Sequence, residues 1–292
     1  MAKKMADVGI DDALATGKQH FLYPRDRWAG VRRNIIGVIS GVAIIIIIWW
    51  ALAILIGEFR GVAFPTPPDV FSRFADALGG ADLQGSSIYD QTFASLRRWG
   101  LGYLLAVGIG LTTGCLLGMY RHLHDLSIVS IYILQLVPGL AWIPIALLLF
   151  GLGEVSTIFM IFMAALPPII ISTASGIRSA PPIYEKVAGM AETDFSAKFW
   201  HVLLPASAIS VINGLRNGLA NSWRVLIAAE MVVGVALGLG YTIIQSRYDL
   251  DYQAAFVSII VICIIGIVVE KIFFQFFEER IRDRLGLDRE DD

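Results

Sequence analysis

Two charged residues inside otherwise apolar sequence are the first candidates for chemistry in this chain. Arg224 and Glu230 lie in a segment that could cross a membrane, where a charge is costly and usually serves a function. They are six positions apart, about 240° around a helix, so they do not face each other. Arg224 could attract an anion, or it could extend its guanidinium to the inner surface, whereas Glu230 is expected to pair with another span.

Patterns that support catalysis are missing from the sequence. No candidate span contains a histidine, and neither HExxH nor GxSxG occurs, so an intramembrane enzyme is disfavoured and no catalytic residue is predicted. No glycine-lysine loop could cradle nucleotide phosphates, so any ATP would be hydrolysed by a partner. His122 and His124 stand beside Asp125, but without a third ligand nearby they favour a solvated loop over a metal site.

The stretch from Tyr184 to Pro205 is polar enough to interrupt the apolar sequence on both sides of it. Each half has one apolar stripe at helical spacing, formed by Tyr184, Val187, Ala188 and Ala191 in the first and by Phe195, Phe199, Val202 and Leu203 in the second. Thr193 and Asp194 can cap the second helix, and Leu204-Pro205 is expected to close it. This pattern predicts a helix–turn–helix between two membrane spans.

Composition places the whole chain in lipid. Hydrophobic residues make up 56% of the 292 positions, charged residues only 16%, and the mean hydropathy is +0.68. A single soluble core could not bury that much apolar surface. Cys115 and Cys263 sit inside apolar runs and indicate neither a disulfide framework nor a metal site. The sequence therefore predicts an all-α polytopic membrane protein.

Six apolar segments within a membrane domain at 34–277 predict the spans. They cover about residues 35–56, 99–119, 126–150, 155–175, 219–239 and 254–277. The basic tail at 1–33 and the charged tail at 278–292 are both expected in the cytoplasm, which also places the 184–205 stretch there.

Two loops are predicted on the outer side. Residues 58–96, with a short helix after Pro67-Pro68, form the first, and residues 240–253 form the last. Arg97-Arg98 is the one basic cluster near a span end that disagrees with this orientation.

Two of the predicted spans have special composition. The span at 99–119 has glycines spaced by four, which let helices approach closely in lipid. In the next span, prolines at 138 and 144 remove backbone donors that lipid cannot replace, so this segment should face protein or a water-filled path. Gln135, Trp142 and Pro144 are therefore candidates to line a path, with core packing as the alternative for each.

The 184–205 stretch and four other segments resemble those of a known family. Lys186-Val187-Ala188 followed by Phe199-x-x-Leu-Leu-Pro205 resembles the cytoplasmic "EAA" loop of permease subunits of bacterial ATP-binding-cassette (ABC) importers. More narrowly, the likeness is to the nitrate, sulfonate, taurine and bicarbonate branch, through PTPPDV at 65–70, TFASLRRWGLGYLLAVGIG at 92–110, LVPGLAWIPIALLLFGLGE at 136–154 and WRVLIAAEM at 223–231. The likeness covers about residues 60–277.

The resemblance implies the type I importer permease fold and a non-catalytic membrane subunit. Implied partners are two cytoplasmic ATPase subunits that bind ATP and Mg, a second permease copy or a paralogue, and an extracytoplasmic solute-binding protein; nucleic acid is not expected. The resemblance further implies that the 184–205 loop is a coupling helix seated in a groove of the ATPase. The coupling residues it implies are Glu185, Lys186, Val187, Ala188, Gly189, Met190, Ala191, Glu192, Phe195, Phe199 and Pro205.

The resemblance implies a path for a small solute, formed in the inner membrane of a prokaryote and expected to include Gln135, Trp142, Pro144, Arg224 and Glu230. The solute is expected to be an anion such as nitrate, bicarbonate, a sulfonate or taurine, but an uncharged amine-like solute stays open. Lys186 stands where the family usually begins with Glu, and Glu192 where it turns on Gly, so the groove fit could be specialised. The alternative is a secondary transporter or channel that works without ATPase subunits, although no internal repeat of spans supports it.

Overall fold

The computed structural model describes residues 27–61, 64–181, 183, 190 and 194–275. Nearly all of these residues are helical, and none of them belongs to a β-strand; Leu83 and Ser86 form one isolated bridge. The prediction of an all-α protein is confirmed. The chain divides into two units, residues 1–67 and residues 68–292.

In the first unit, the described residues form one long helix, α1 (Arg27–Arg60). Its segment Gly37–Phe59 is long and apolar enough to cross a membrane and includes most of the predicted span at 35–56. Large apolar side chains such as Ile39 and Ile45 are exposed around the helix. A helix that is apolar on all sides suits contact with lipid. The Trp49 indole donates a hydrogen bond of 3.1 Å to the carbonyl of Pro65 within the same unit.

The second unit contains the other described helices. In chain order these are α2 (Pro67–Leu78), α3 (Ile88–Met119), α4 (Arg121–Leu136), α5 (Ile143–Phe150), α6 (Glu154–Arg178), α7 (Phe195–Lys198), α8 (Leu204–Val232), α9 (Leu239–Tyr248) and α10 (Tyr252–Ile267). A 3₁₀ turn (Gly139–Trp142) precedes α5, and π-helical turns occupy Phe199–Leu203 and Val268–Gln275. His122 and His124 lie in the first turn of α4, so the expected loop there is helical instead.

Four helices of the described part are long and apolar enough to span a membrane, or five if the bent pair α4 and α5 counts as one. α8 is not among them, because Arg216, Arg224 and several Asn residues lower its hydropathy. The predicted span at 219–239 begins within α8, which ends at Val232. The arrangement of six spans stays a prediction.

α6 is the central helix and packs against both α3 and α8. Glycines four residues apart on α3 bring the backbones together: a Cβ added at Gly110 would lie 2.8 Å from Ile169 of α6, and one at Gly114 would lie 2.6 Å from Thr173. α6 also meets small residues of α8, where a Cβ at Gly214 would lie 2.5 Å from Ser172. The prediction that the glycines of this span permit close helix contact is confirmed.

α3 begins at Ile88 rather than near Trp99, where the predicted span starts. The Ser87 hydroxyl accepts a hydrogen bond of 3.1 Å from the backbone N–H of Asp90, which caps the first turn. Arg97 and Arg98 consequently lie inside the helix rather than at its end. The predicted boundary treated their charges as the edge of the membrane, but those charges have protein partners described below.

The prediction that Leu204-Pro205 closes the second helix of the 184–205 stretch is wrong. The chain stays helical from Phe195 into α8 through the π turn at Phe199–Leu203. Proline lacks an N–H and its ring clashes with the carbonyl four residues earlier, which normally ends or kinks a helix. Here the Leu204 N–H donates to the Phe199 carbonyl five residues earlier, and the wider turn accommodates Pro205 at the start of α8.

Most of the segment predicted as the last outer loop, 240–253, belongs to helix α9 (Leu239–Tyr248), and its place on the outer side stays a prediction. The residue before it, Gly238, has a φ of 149° and no side chain that could cap a helix. The capping groups come instead from α3, which is distant in the sequence, and from the end of α8, and they form part of the site described next.

Candidate functional site

The bend between α4 and α5 is the most irregular membrane segment in the described chain. The two helices form an angle of 101°. Val137 is extended, with φ −69° and ψ 118°, and Pro138 follows it without an N–H to donate. The predicted break in this segment is confirmed. Such a break is tolerated at membrane depth where the freed backbone groups face protein or water.

A cavity of about 260 Å³ lies at this bend, and we call it the bend cavity. Its lining comes from the end of α4, the prolines of α6 and the middle of α8: Leu134, Gln135, Leu136, Val137, Pro138, Gly139, Met163, Ala164, Pro167, Pro168, Asn221, Arg224 and Val225. Two of the path candidates, Gln135 and Arg224, are therefore brought to one cavity.

The other three path candidates do not line the bend cavity. Trp142 packs edge-on against Phe159 with ring centroids 6.3 Å apart, which matches the core-packing alternative. Pro144 is exposed in the first turn of α5. Glu230 is buried on another side of α8.

Glu230 is held by α3 and by the start of α9. Its Oε1 atom accepts a hydrogen bond of 2.8 Å from Nη1 of Arg98, and the Ser95 hydroxyl lies 2.8 Å from its Oε2 atom. The backbone N–H of Gly240 donates to Oε2 at 3.0 Å. The expectation that Glu230 pairs with another span is confirmed. The carboxylate is thus committed to a protein network, where its charge is compensated.

Arg98 extends this network to the loop before α9 and to α6. Its Nη1 atom also donates to the carbonyl of Leu237 at 2.6 Å, and its Nη2 atom lies 3.2 Å from Oε1 of Glu154. The neighbouring Arg97 donates to both oxygens of Glu154 at 2.5 Å. The basic pair that disagreed with the charge distribution of the loops is therefore neutralised by two acidic residues from other helices.

The same cluster caps α9. The Gln91 side-chain oxygen accepts from the N–H of Gly238 at 2.8 Å, and the Ser95 hydroxyl accepts from the N–H of Leu239 at 2.9 Å. With Glu230 on Gly240, three successive N–H groups are satisfied by α3 and α8. A carboxylate at a helix N-terminus is also favoured by the helix dipole. We call Gln91, Ser95, Arg98, Glu154 and Glu230 the polar cluster.

A second cavity, of about 540 Å³, lies beside the polar cluster. Its charged lining consists of Asp90, Arg97, Arg98 and Glu154, so acidic and basic groups balance. The balance gives no preference for an anion over a cation. Among the described residues, no group of three or more His, Cys, Asp and Glu side chains is placed to hold a metal ion.

Sequence reasoning missed the polar cluster, although it contained one signal. Arg97-Arg98 opposed the expected charge distribution, and an arginine at membrane depth needs a partner. No local pattern identifies Glu154 and Glu230 as its partners, because they lie 56 and 132 residues further along the chain from Arg98.

Most of the expected coupling residues lie outside the described part of the chain. These are Glu185, Lys186, Val187, Ala188, Gly189, Ala191 and Glu192, and the side chain of Phe195 is not described either. Met190 is 86% exposed. Phe199 contacts Trp200 edge-on with centroids 5.4 Å apart, and Pro205 lies in the first turn of α8. The coupling role stays a prediction.

Comparisons with known proteins agree on one kind of molecule. The family described as binding-protein-dependent transport system inner membrane component matches residues 106–283. The nitrate import permease protein of Synechocystis sp. is 31% identical over 82% of this chain and 86% of its own length. The bicarbonate transport system permease protein of Synechococcus elongatus is 32% identical over the same shares. The taurine transport system permease protein of Escherichia coli is 27% identical over 88% of this chain and 92% of its own.

A solved structure gives an independent view of the fold. A chain from inward-facing conformations of the MetNI methionine ABC transporter matches with a TM-score of 0.52 and 18% sequence identity. The match covers 66% of this chain and 93% of that chain. At this identity, the likeness concerns the fold alone.

Proposed function

The chain belongs to the family of binding-protein-dependent transport system inner membrane components, the permease subunits of ABC importers, and on that premise we propose that it forms the path for a small anionic solute. Its fold is that of a type I importer permease, and it is a multi-pass membrane protein. The family match over residues 106–283 is the observation that carries the assignment.

The proposed solute is an oxyanion of the nitrate, bicarbonate or sulfonate type. Two relatives named for nitrate and bicarbonate transport share 31% and 32% of their aligned residues with this chain, and the relative named for taurine shares 27%. Arg224 supports an anionic solute, because a cation exposed to a cavity at membrane depth favours negative charge. The proposed path includes Gln135 and Arg224 at the bend cavity. Trp142, Pro144 and Glu230, the other three path candidates, do not line this cavity, and Glu230 is held in the polar cluster instead.

The proposed assembly places ATP hydrolysis on other chains. Two ATPase subunits that bind ATP and Mg dock at the 184–205 loop, a second copy of this chain completes the path, and a binding protein delivers the solute from outside. Both termini lie in the cytoplasm in this arrangement. Closure of the ATPase subunits moves the helices on either side of the loop, so that the path opens alternately to the two sides.

Purification of the chain co-produced with its ATPase partner tests this assembly. We expect a stable complex whose ATP hydrolysis rises when solute-loaded binding protein is added in nanodiscs. The proposal is contradicted if the co-produced ATPase does not stay bound to the chain, or if hydrolysis by the complex does not respond to the loaded binding protein.

A further inference from the structure

We propose that Arg224, Gln135 and Asn221 form a binding site for small oxyanions within the bend cavity. This inference rests on the proposed function, because it assumes that the bend cavity belongs to the transport path. It goes beyond that function by assigning solute recognition to particular side chains of the membrane subunit rather than to the binding protein alone.

The bend cavity has positive charge in its described lining and no negative charge there to balance it. Arg224 is the only charged residue among the described residues that line it, and Gln135 and Asn221 are the polar side chains that accompany it. Most of the remaining lining is apolar or proline, as in sites where a few polar groups orient a small ligand. The cavity beside the polar cluster differs, because acidic and basic residues balance there.

Arg224 differs from the paired arginines of the second unit in having no protein partner in the described chain. Arg98 pairs with Glu230 at 2.8 Å, and Arg216 pairs with Glu270 at 3.1 Å. Glu270 and Arg224 line another cavity together, but the ion pair of Glu270 is with Arg216. Within the described residues, neither Gln135 nor Asn221 forms a side-chain hydrogen bond.

The position of Arg224 indicates what surrounds its unpaired charge. It lies eight residues before the end of α8 at Val232, about 12 Å along the helix axis. In the predicted span at 219–239 a charged side chain in contact with lipid is costly, so Arg224 is expected to face a polar compartment instead. The break at Pro138 opens such a compartment beside it.

The helix break also brings the three residues to the same cavity. A Cβ added at Gly139 would overlap the side chain of Val225, so the backbone of the break lies against α8 directly beside Arg224. Asn221 is three residues before Arg224, on the same face of α8. Gln135 lies near the end of α4, just before the break.

The chemistry of the three side chains matches an oxyanion. A guanidinium presents a planar fork of N–H donors that can bind two oxygens of one anion. The amides of Gln135 and Asn221 can each donate two further hydrogen bonds. Nitrate, bicarbonate and sulfonate each carry several oxygens on one central atom, so a single binding site can accept all three.

The test uses the complete transporter in proteoliposomes, with labelled nitrate, bicarbonate and taurine as separate probes. Arg224→Gln is expected to lower uptake of the transported anion about tenfold or more, as the loss of a charge-assisted hydrogen bond predicts, while ATP hydrolysis stimulated by the loaded binding protein persists. Arg224→Lys should retain part of the uptake, because it keeps the charge but not the fork. Arg216→Gln removes the same charge from α8 outside the bend cavity and should preserve uptake.

Gln135→Glu provides a second variant at an exposed position. It places a carboxylate beside Arg224 and is expected to reduce anion uptake without loss of stimulated hydrolysis. Unchanged uptake in both Arg224→Gln and Gln135→Glu would overturn the proposed oxyanion-binding site. A parallel loss of uptake and stimulated hydrolysis in both variants would overturn it as well. If the unmodified chain shows no stimulated hydrolysis with its partners, the proposed function itself fails, which is a distinct result.

Discussion

Arg98 of α3 and Glu230 of α8 form a buried ion pair, with Nη1 and Oε1 2.8 Å apart. Their side chains are 3% and 0% exposed. The pair joins two helices and, through Leu237 and Gly240, fixes the loop that leads into α9. A buried pair of this kind is costly to break from one side, because the remaining charge loses its partner inside the protein.

Glu230→Gln is therefore expected to lower the thermal denaturation midpoint of the purified chain in detergent. Removal of one partner from a buried pair costs about 3–5 kcal/mol, since Arg98 would stay charged without its carboxylate. Intrinsic tryptophan fluorescence during heating can report the midpoint. Glu154→Gln is the control, because Glu154 is 46% exposed and half-exposed pairs contribute only about 0–1 kcal/mol.

A double variant distinguishes loss of the ion pair from nonspecific destabilisation of the chain. Replacing both Arg98 and Glu230 by apolar residues removes both buried charges, so Arg98→Met combined with Glu230→Leu should be less destabilising than the sum of the two single changes. Additive effects of the two single changes would contradict a direct ion pair.

The glycine contacts between α3 and α6 give a second expectation. Gly114→Ala would place a Cβ 2.6 Å from Thr173 and should lower the denaturation midpoint, because the two helices would have to move apart. Gly108 lies on the same helix with no atom within 4 Å of an added Cβ. Gly108→Ala should leave the midpoint unchanged or raise it, since Ala favours a helix over Gly by about 1 kcal/mol. Equal losses in both variants would contradict this packing.

Local sequence patterns predicted the features that depend on neighbouring residues. The apolar run after residue 35 predicted much of α1, the glycines predicted the close contact of α3 with α6, and Pro138 predicted the break before α5. Each of these follows from residue type and spacing, because hydrophobicity, side-chain size and a missing N–H act locally.

Features that depend on distant partners were not predicted. α3 extends back to Ile88 because Arg97 and Arg98 are neutralised by residues of α6 and α8, and α9 forms because Gln91, Ser95 and Glu230 supply its cap. The helix through Leu204-Pro205 depends on a π turn, whose five-residue hydrogen bond leaves no obvious pattern in the sequence.

The 184–205 loop gives a third expectation, which concerns coupling. Reversing the charge of Glu185 or Glu192 should lower ATP hydrolysis by the partner subunits without preventing membrane insertion, because this loop is the proposed docking helix. Stimulated hydrolysis in nanodiscs and the yield of membrane-inserted chain are the two readouts. Asp194→Lys, at an exposed position in the same loop, tests whether any added positive charge has the same effect. Unchanged hydrolysis in both glutamate variants would remove these two residues from the coupling surface.

We expect this chain to transport solute only as part of an ATP-driven assembly with a binding protein. Uptake of labelled nitrate, bicarbonate and taurine into proteoliposomes tests it most directly, with the chain alone, without the ATPase subunits, without the binding protein, and with all components and ATP on the cytoplasmic side. We predict uptake of one of these three solutes with the complete set and background uptake in every other case. Robust uptake by the chain alone would contradict an ATP-driven importer and would favour a secondary transporter or channel.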